Sequence, residues 1–301
     1  MSRQNYKKVL NYLPEKISCI FRKIPSDTAE NINEIRLRVN RPIAVTSLGE
    51  NYFVTANGSL TLSDSLSIIC TSGDILDSFK AVCEYSIHSY QKEISQGFIT
   101  IEGGNRVGIC GTAVGQGKIE TLKYISGLNF RIAGQASGCA GKLCERLFSE
   151  GIRSVLVTGE PLSGKTTYLR DICRILGKQH RISIIDERSE IAACHHGIPQ
   201  NDIGSFSDVL DGFDKKNGIE TAIRVMSPEI VVCDEIGGKD DCIAILESIN
   251  SGVKFLASVH GKSIDEILKR EHIKKLVDYG IFEFAVFLED RKVKEIRAIN
   301  D

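Results

Sequence analysis

What these 301 residues lack narrows the field before any motif is read. No apolar run approaches the roughly 20 residues that cross a bilayer. The opening stretch MSRQNYKKVL has no signal-peptide core. The expectation is a cytoplasmic protein that reaches a membrane only peripherally, through partners. A basic field is missing too, since 38 lysines and arginines face 39 acids for a net charge of −1. Aromatics do not interleave with basic residues, so no direct nucleic-acid partner is expected. The ten cysteines include no C-x-x-C pair, and in a reducing cytosol such residues serve as small buried hydrophobes. Cys194-His195-His196 would need further ligands to hold a metal, and none stands out at suitable spacing. Internal repeats and low-complexity tracts are also absent. What remains is an ordinary globular composition, 42% hydrophobic and 26% charged. The length leads us to expect two domains.

Two patterns divide the chain. Residues 1–133 mix helical and β signals, which predicts a smaller α+β N-terminal domain. A helix is expected over 10–24, ending before Pro25, and a half-exposed strand over 34–39, where charged and apolar residues alternate. Residues 42–46 and 51–55 flank Leu48-Gly49-Glu50 as a hairpin. Ser72 is placed to cap a helix reaching about Tyr85, which 87–94 continues or follows with a second. Strands over 97–101 and 107–114 join through Glu102-Gly103-Gly104-Asn105, a turn signal. Residues 134–301 form the second domain, in which strands and helices alternate. Strands are expected at 154–158, 182–186, 230–234 and 254–259, with helices at 166–177, 206–213, 219–226 and 240–250. The strands over 182–186 and 230–234 are almost wholly apolar, as strands of a parallel sheet buried on both faces are. A terminal hairpin turns around Asp290-Arg291, and the small residues of 134–138 suit a hinge.

Gly159-Glu160-Pro161-Leu162-Ser163-Gly164-Lys165-Thr166 fits the phosphate-loop pattern G-x-x-x-x-G-K-S/T. An apolar strand precedes it, and a segment with helical spacing follows from Thr167. A strand turning through glycines into a helix N-terminus gathers backbone N–H groups and the positive dipole end at one spot. A nucleotide's β-phosphate suits that spot, with Lys165 reaching the β and γ oxygens and Thr166 offering its hydroxyl to Mg²⁺. A chance match is the alternative, and the correct flanks count against it. Asp234 and Glu235 end a buried strand at the edge where α/β ligands bind. Asp234 is the candidate Mg²⁺ residue, partly through water. Glu235 is the candidate to orient or deprotonate the attacking water. The plain alternative is that the pair caps the next helix. Asp186-Glu187-Arg188-Ser189-Glu190 leaves another buried strand in a burst of charge. Glu187 is the second catalytic candidate, and pairing of Arg188 with one of these acids is its bland reading. His260 closes the fourth strand, where it senses a γ-phosphate or serves structure alone. Arg36, Arg38, Arg106, Arg131 and Arg224 are possible charge-stabilising groups, and sequence alone does not choose among them.

Seven stretches carry a resemblance through nearly the whole chain: EIRLRVNRPI (34–43), GFITIEGGNRVGICGTAV (97–114), LNFRIA (128–133), GEPLSGKTTYLRDI (159–172), IIDERSEIA (184–192), AIRVMSPEIVVCDEIGG (222–238) and ASVHG (257–261). In this order they resemble the stage III sporulation protein AA family. These are ATPases of endospore formers, related to the hexameric motors of type II and type IV secretion and of pilus retraction. The resemblance implies an α/β fold: a RecA-like P-loop ATPase core with a mostly parallel sheet, behind the N-terminal domain. It puts Gly159 to Thr167 in the ATP-binding loop, Asp186, Glu187 and Glu190 in an acidic box, and Glu235 at the catalytic glutamate. His260 falls on the family's histidine box. Arg106 and Arg131 lie in segments like those whose arginines approach nucleotide. Gly237-Gly238 stands where many relatives have an arginine after the catalytic glutamate, which leaves any trans-acting arginine unassigned. The family further implies ATP and Mg²⁺, a homo-oligomer of six subunits, and docking in the mother cell against membrane components of a sporulation channel. The reading from sequence is therefore an ATP hydrolase working as a secretion-type motor. Its rivals are a nucleic-acid-stimulated ATPase, a non-hydrolysing nucleotide-switched scaffold and, more weakly, a small-molecule kinase.

Overall fold

The computed structural model describes residues 2–115, 119–134 and 138–299. It divides into two compact units, Met1–Gln135 and Ala136–Asp301. Of the expected hinge over 134–138, residues 135–137 lie outside the described residues.

The first unit is built on a seven-stranded sheet with strand order Leu60–Thr61, Glu50–Val54, Ala44–Ser47, Ile32–Arg38, Thr121–Arg131, Asn105–Val114 and Phe98–Ile101. Every pairing in it is antiparallel. Along Ile32–Arg38, Ile32, Ile35 and Leu37 are buried while Arg36 and Arg38 are exposed, the alternation of a strand with one wet face. Leu48 and Gly49 both take positive φ, which lets the Ala44–Ser47 and Glu50–Val54 hairpin turn tightly. The helix expected over 10–24 is instead two, Ser2–Leu10 and Glu15–Phe21. Pro14 stands between them, and proline can open a helix but lacks the N–H to sit inside one. Thr71, not Ser72, caps the helix Ser72–Val82, in a reciprocal box with Asp74. The stretch 87–94 becomes a 3₁₀ turn, Ile87–Tyr90, running into a helix, Gln91–Gln96.

The second unit carries another seven-stranded sheet, ordered Ser207–Asp211, Ile182–Asp186, Ile230–Cys233, Lys254–His260, Val155–Gly159, Phe284–Glu289 and Lys292–Ala298. The first six strands run parallel and the last closes the terminal hairpin antiparallel. Both faces are covered. Val155, Val157, Ile184 and Val232 pack with Leu143, Leu169 and Ile172 of the helices Gly141–Phe148 and Lys165–Leu176. Leu156, Ile185, Val231 and Phe255 face the other way, toward Ile219, Ile245 and Leu276. Full burial of each such aliphatic side chain contributes about 1.5–3 kcal/mol.

The helix expected over 206–213 is instead the edge strand Ser207–Asp211. The helix expected over 219–226 begins earlier, capped by Asp214, as Lys215–Thr221, and ends in a π-turn, Ala222–Met226. Among the described residues, no helix is long and apolar enough to cross a membrane.

Candidate functional site

The loop from Gly159 to Thr166 joins the buried strand Val155–Gly159 to the helix Lys165–Leu176. Gly159 cannot be larger: a Cβ there would overlap Ser163 Oγ and come within 2.6 Å of Leu288 O. Gly164 caps the helix with φ +98°, a conformation that favours glycine. Between them Leu162 takes φ +66° and points its side chain to solvent. Lys165 folds back across the loop, its Nζ donating to Gly159 O and Glu160 O, each at 2.9 Å. Burial lowers its ammonium from the ordinary value, against the opposing pull of Glu235 and Asp234. Ser163 Oγ is buried with no hydrogen-bond partner among the described residues. Glu160 and Pro161 are exposed, and Thr167 stands half-buried in the first helical turn.

Asp234 and Glu235 follow the end of Ile230–Cys233, two strands from the loop. Thr166 Oγ1 donates to Asp234 Oδ2 at 2.6 Å, tying the loop to this strand end. The other oxygen, Oδ1, accepts from Ser258 Oγ. Ser258 in turn accepts the Glu235 N–H at 2.8 Å. Glu235 has φ +56°, an arrangement that costs a non-glycine residue about 1–3 kcal/mol. Its carboxylate accepts from Arg188 Nη1 at 3.1 Å.

The acidic segment after Ile182–Asp186 splits in two. Asp186 is buried and accepts the backbone N–H groups of Glu190, Ile191 and Ala192. Burial raises its carboxyl despite those donors, and its contacts fold the following loop. Glu187 stays accessible and accepts from Lys215 Nζ at 2.6 Å. Glu187, Arg188, Glu190, Lys215, Asp234 and Glu235 line one small cleft. His260 is exposed at the end of its strand, opposite Gly159 in the parallel register. Its carbonyl accepts from Arg270 Nη1 at 2.6 Å.

One strand edge thus gathers the loop, Thr166, Asp234, Glu235, Glu187 and His260. A carboxylate and a hydroxyl in contact can share a divalent cation, and an accessible glutamate beside them can accept a proton from water. Of the arginines, Arg36 and Arg131 both pair with Glu34 in the first unit, and Arg106 stacks on the Phe98 ring at 4.7 Å. Burial pushes the Cys194 thiol up to about 12.

Sequence reasoning passed over Ser258, Lys215 and Asp171, and it placed the hairpin at Asp290-Arg291 without its contact to the loop. The signal for Ser258 was a polar residue inside the otherwise apolar run Phe255 to Val259. Asp171 is a buried acid on the loop helix that accepts from the Gly138 and Ala140 N–H groups. Arg291 packs against Gly164, and the turn around it forms, with Glu160 to Ser163 and Lys262, an open cleft of about 580 Å³. No local pattern announced that long-range neighbourhood.

Residues 3–301 match the family described as Sporulation stage III, protein AA. Stage III sporulation protein AA of Bacillus subtilis (strain 168) is 35% identical over 283 residues, covering 92% of this chain and 88% of that protein. The solved structure of the pilus retraction motor PilT with bound ADP aligns with a TM-score of 0.60 at 14% identity, over 87% of this chain and 75% of that one. The Legionella pneumophila ATPase DotB aligns with a TM-score of 0.55 at 12% identity, over 85% and 72%. At such identities the likeness is one of fold: an α/β chain resembling secretion and pilus ATPases.

Proposed function

The chain belongs to the sporulation stage III protein AA family, and on that premise we propose that it is an ATP hydrolase driving a membrane channel complex in endospore formation. The observation that carries the reading is the 2.6 Å hydrogen bond from Thr166 to Asp234. It joins a phosphate-type loop to a carboxylate at the edge of a parallel sheet, where α/β ligands bind. The loop suits a triphosphate on two counts: the left-handed Gly164 and the unpartnered Ser163 hydroxyl.

In this reading, the backbone N–H groups from Glu160 to Thr167 cradle the phosphates, and Lys165 leaves the loop carbonyls to neutralise the β and γ oxygens. Thr166 and Asp234 would hold Mg²⁺, Asp234 partly through water. When bound, the ion would supply positive charge against the oxygens of the γ-phosphoryl group. Glu235 orients the attacking water and receives its proton. Glu187 is the second acid, poised by Lys215, and His260 contacts the γ-phosphate from the neighbouring strand. Asp186 is a loop-building residue instead. The core is RecA-like, with a domain boundary at 133/134, and the working form is a homo-oligomer, a hexamer, docked in the cytoplasm against membrane partners.

Phosphate release in Mg²⁺-ATP tests the activity. Lys165→Ala is expected to abolish it, by at least about 1,000-fold from lost charge stabilisation, with an unchanged thermal midpoint. Turnover equal to wild type would end the proposal. Solution mass with and without Mg²⁺-ATP reads the assembly.

A further inference from the structure

Ser258 lies inside the strand Lys254–His260 and is fully buried. A hydroxyl at such a position is not partnered by default. Thr158 Oγ1 and Ser183 Oγ, buried on strands of the same sheet, have no hydrogen-bond partner among the described residues. Ser258 Oγ has two, and both belong to the candidate site. It donates its one proton to Asp234 Oδ1 and accepts the Glu235 N–H at 2.8 Å.

The direction of each bond fixes the next. Asp234 takes the Ser258 proton on one carboxylate oxygen and the Thr166 proton on the other, at 2.6 Å. Thr166 Oγ1 then has only lone pairs left to offer, which is what a divalent cation takes from a hydroxyl. At the other end, the amide of Glu235, whose φ is +56°, is pinned by the same serine. The chain of bonds runs from the Glu235 amide through Ser258 and Asp234 to Thr166, linking the end of Ile230–Cys233, the strand Lys254–His260 and the first turn of the helix Lys165–Leu176.

We propose that Ser258 is a positioning residue that locks the cation-side pair Thr166 and Asp234 and the water-activating Glu235 into one hydrogen-bonded unit. The assignment rests on the ATP hydrolase reading. It distinguishes Ser258 from a mere filler of the core, because a filler would affect folding alone. Loss of the hydroxyl frees the Asp234 carboxylate to turn and releases the Glu235 backbone, while the loop that grips the phosphates is untouched.

The test titrates Mg²⁺ into a fluorescent ATP analogue bound to the protein and measures phosphate release alongside it. Wild type, Ser258→Ala, Ser258→Thr and Lys165→Ala are compared. Ser258→Ala is expected to bind the analogue without Mg²⁺ as wild type does, yet to need about 10-fold more Mg²⁺ for half-saturation, the size of effect that outer-shell partners carry. Its kcat should fall about 10–100-fold with KM for ATP little changed. Ser258→Thr, which keeps the hydroxyl, should recover most of both losses. Mg²⁺ demand and kcat within about twofold of wild type in Ser258→Ala, with only the thermal midpoint moved, would overturn the assignment. So would a folded Ser258→Thr as impaired as Ser258→Ala. If Ser258→Ala does not fold, Ser258→Cys, close in volume and a weak donor, is judged by the same criteria. Analogue binding by Lys165→Ala equal to wild type would instead bring down the ATP reading itself. Its loss there beside an unaffected Ser258→Ala would overturn the Ser258 role alone.

Discussion

The strand Ile32–Arg38 of the first unit alternates buried Ile35 and Leu37 with exposed Arg36 and Arg38, whereas Val155–Gly159 of the second is buried at every residue. The two sheets have equal strand numbers, and the difference lies in what covers them. A sheet with one wet face can carry charge anywhere along a strand, and its charges meet sideways, as Glu34 meets Arg36 and Arg131. A parallel sheet covered on both faces has no such room, since an unpaired charge within it costs several kcal/mol. Polar groups are pushed to the strand ends. Asp186, Asp234, Glu235, His260 and the loop after Gly159 therefore arrive at one edge because apolar strands carry them there. Concentration of chemistry at that edge is a consequence of burial, and substitutions at the edge and away from it should differ in kind.

Glu235→Gln gives the largest expected contrast. It keeps the shape and the backbone hydrogen bond to Ser258 while removing the carboxylate that the proposed mechanism uses to accept a proton. Turnover should fall by at least about 100-fold, with nucleotide still bound and the thermal midpoint nearly unchanged, since the residue is half exposed and its partner Arg188 is solvated. Rapid hydrolysis by this variant in a phosphate-release assay would remove Glu235 from the reaction and leave the accessible Glu187 as the acid to examine.

How much of this was legible in the chain follows the same division. The doubly buried strands were read closely because apolarity alone marks them: 182–186 was expected and Ile182–Asp186 found, 230–234 expected and Ile230–Cys233 found. The loop and the acids after it could be placed on one edge for that reason. Elements decided by distant partners were not legible. The stretch 206–213 read as a helix, and its parallel pairing with Ile182–Asp186 makes Ser207–Asp211 a strand instead. Thr121–Arg131 lies between two neighbours in its sheet, and its alternation is blurred by Gly127 and a left-handed Tyr124. The ion pair of Arg188 with Glu235 links positions 47 apart, and spacing along the chain says nothing of it.

Asp171 sharpens the comparison, because it is a buried acid of the second unit away from the strand edge. Burial alone would raise its carboxyl, but the N–H groups of Gly138 and Ala140 and the Arg174 guanidinium outweigh that and hold it below the ordinary value. A lowered folded pKa means stabilisation that is complete above the unfolded value, about 3.9, and lost as pH falls through the folded one. Asp171→Asn should therefore lower the unfolding free energy by about 2–3 kcal/mol at pH 7. The gap to wild type should shrink once the pH drops below about 4. Denaturant titrations at pH 7 and pH 3 measure it. An equal gap at both values would mean that the charge of Asp171 stabilises nothing.

The smallest effect belongs to the wet face. Arg36 pairs with Glu34 at 2.6 Å, but nearly half of its side chain is exposed, and Glu34 also meets Arg131 at 3.2 Å. Arg36→Ala therefore strands no charge, and water replaces what the guanidinium gave up. The cost should be under about 0.5 kcal/mol and smaller still in high salt, because exposed pairs are screened. Thermal melts of Arg36→Ala in low and high salt decide the point. A loss as large as that expected for Asp171→Asn would show that charge on the antiparallel sheet is held as tightly as charge buried beside the parallel one, and the contrast drawn from burial would no longer explain where the chemistry sits.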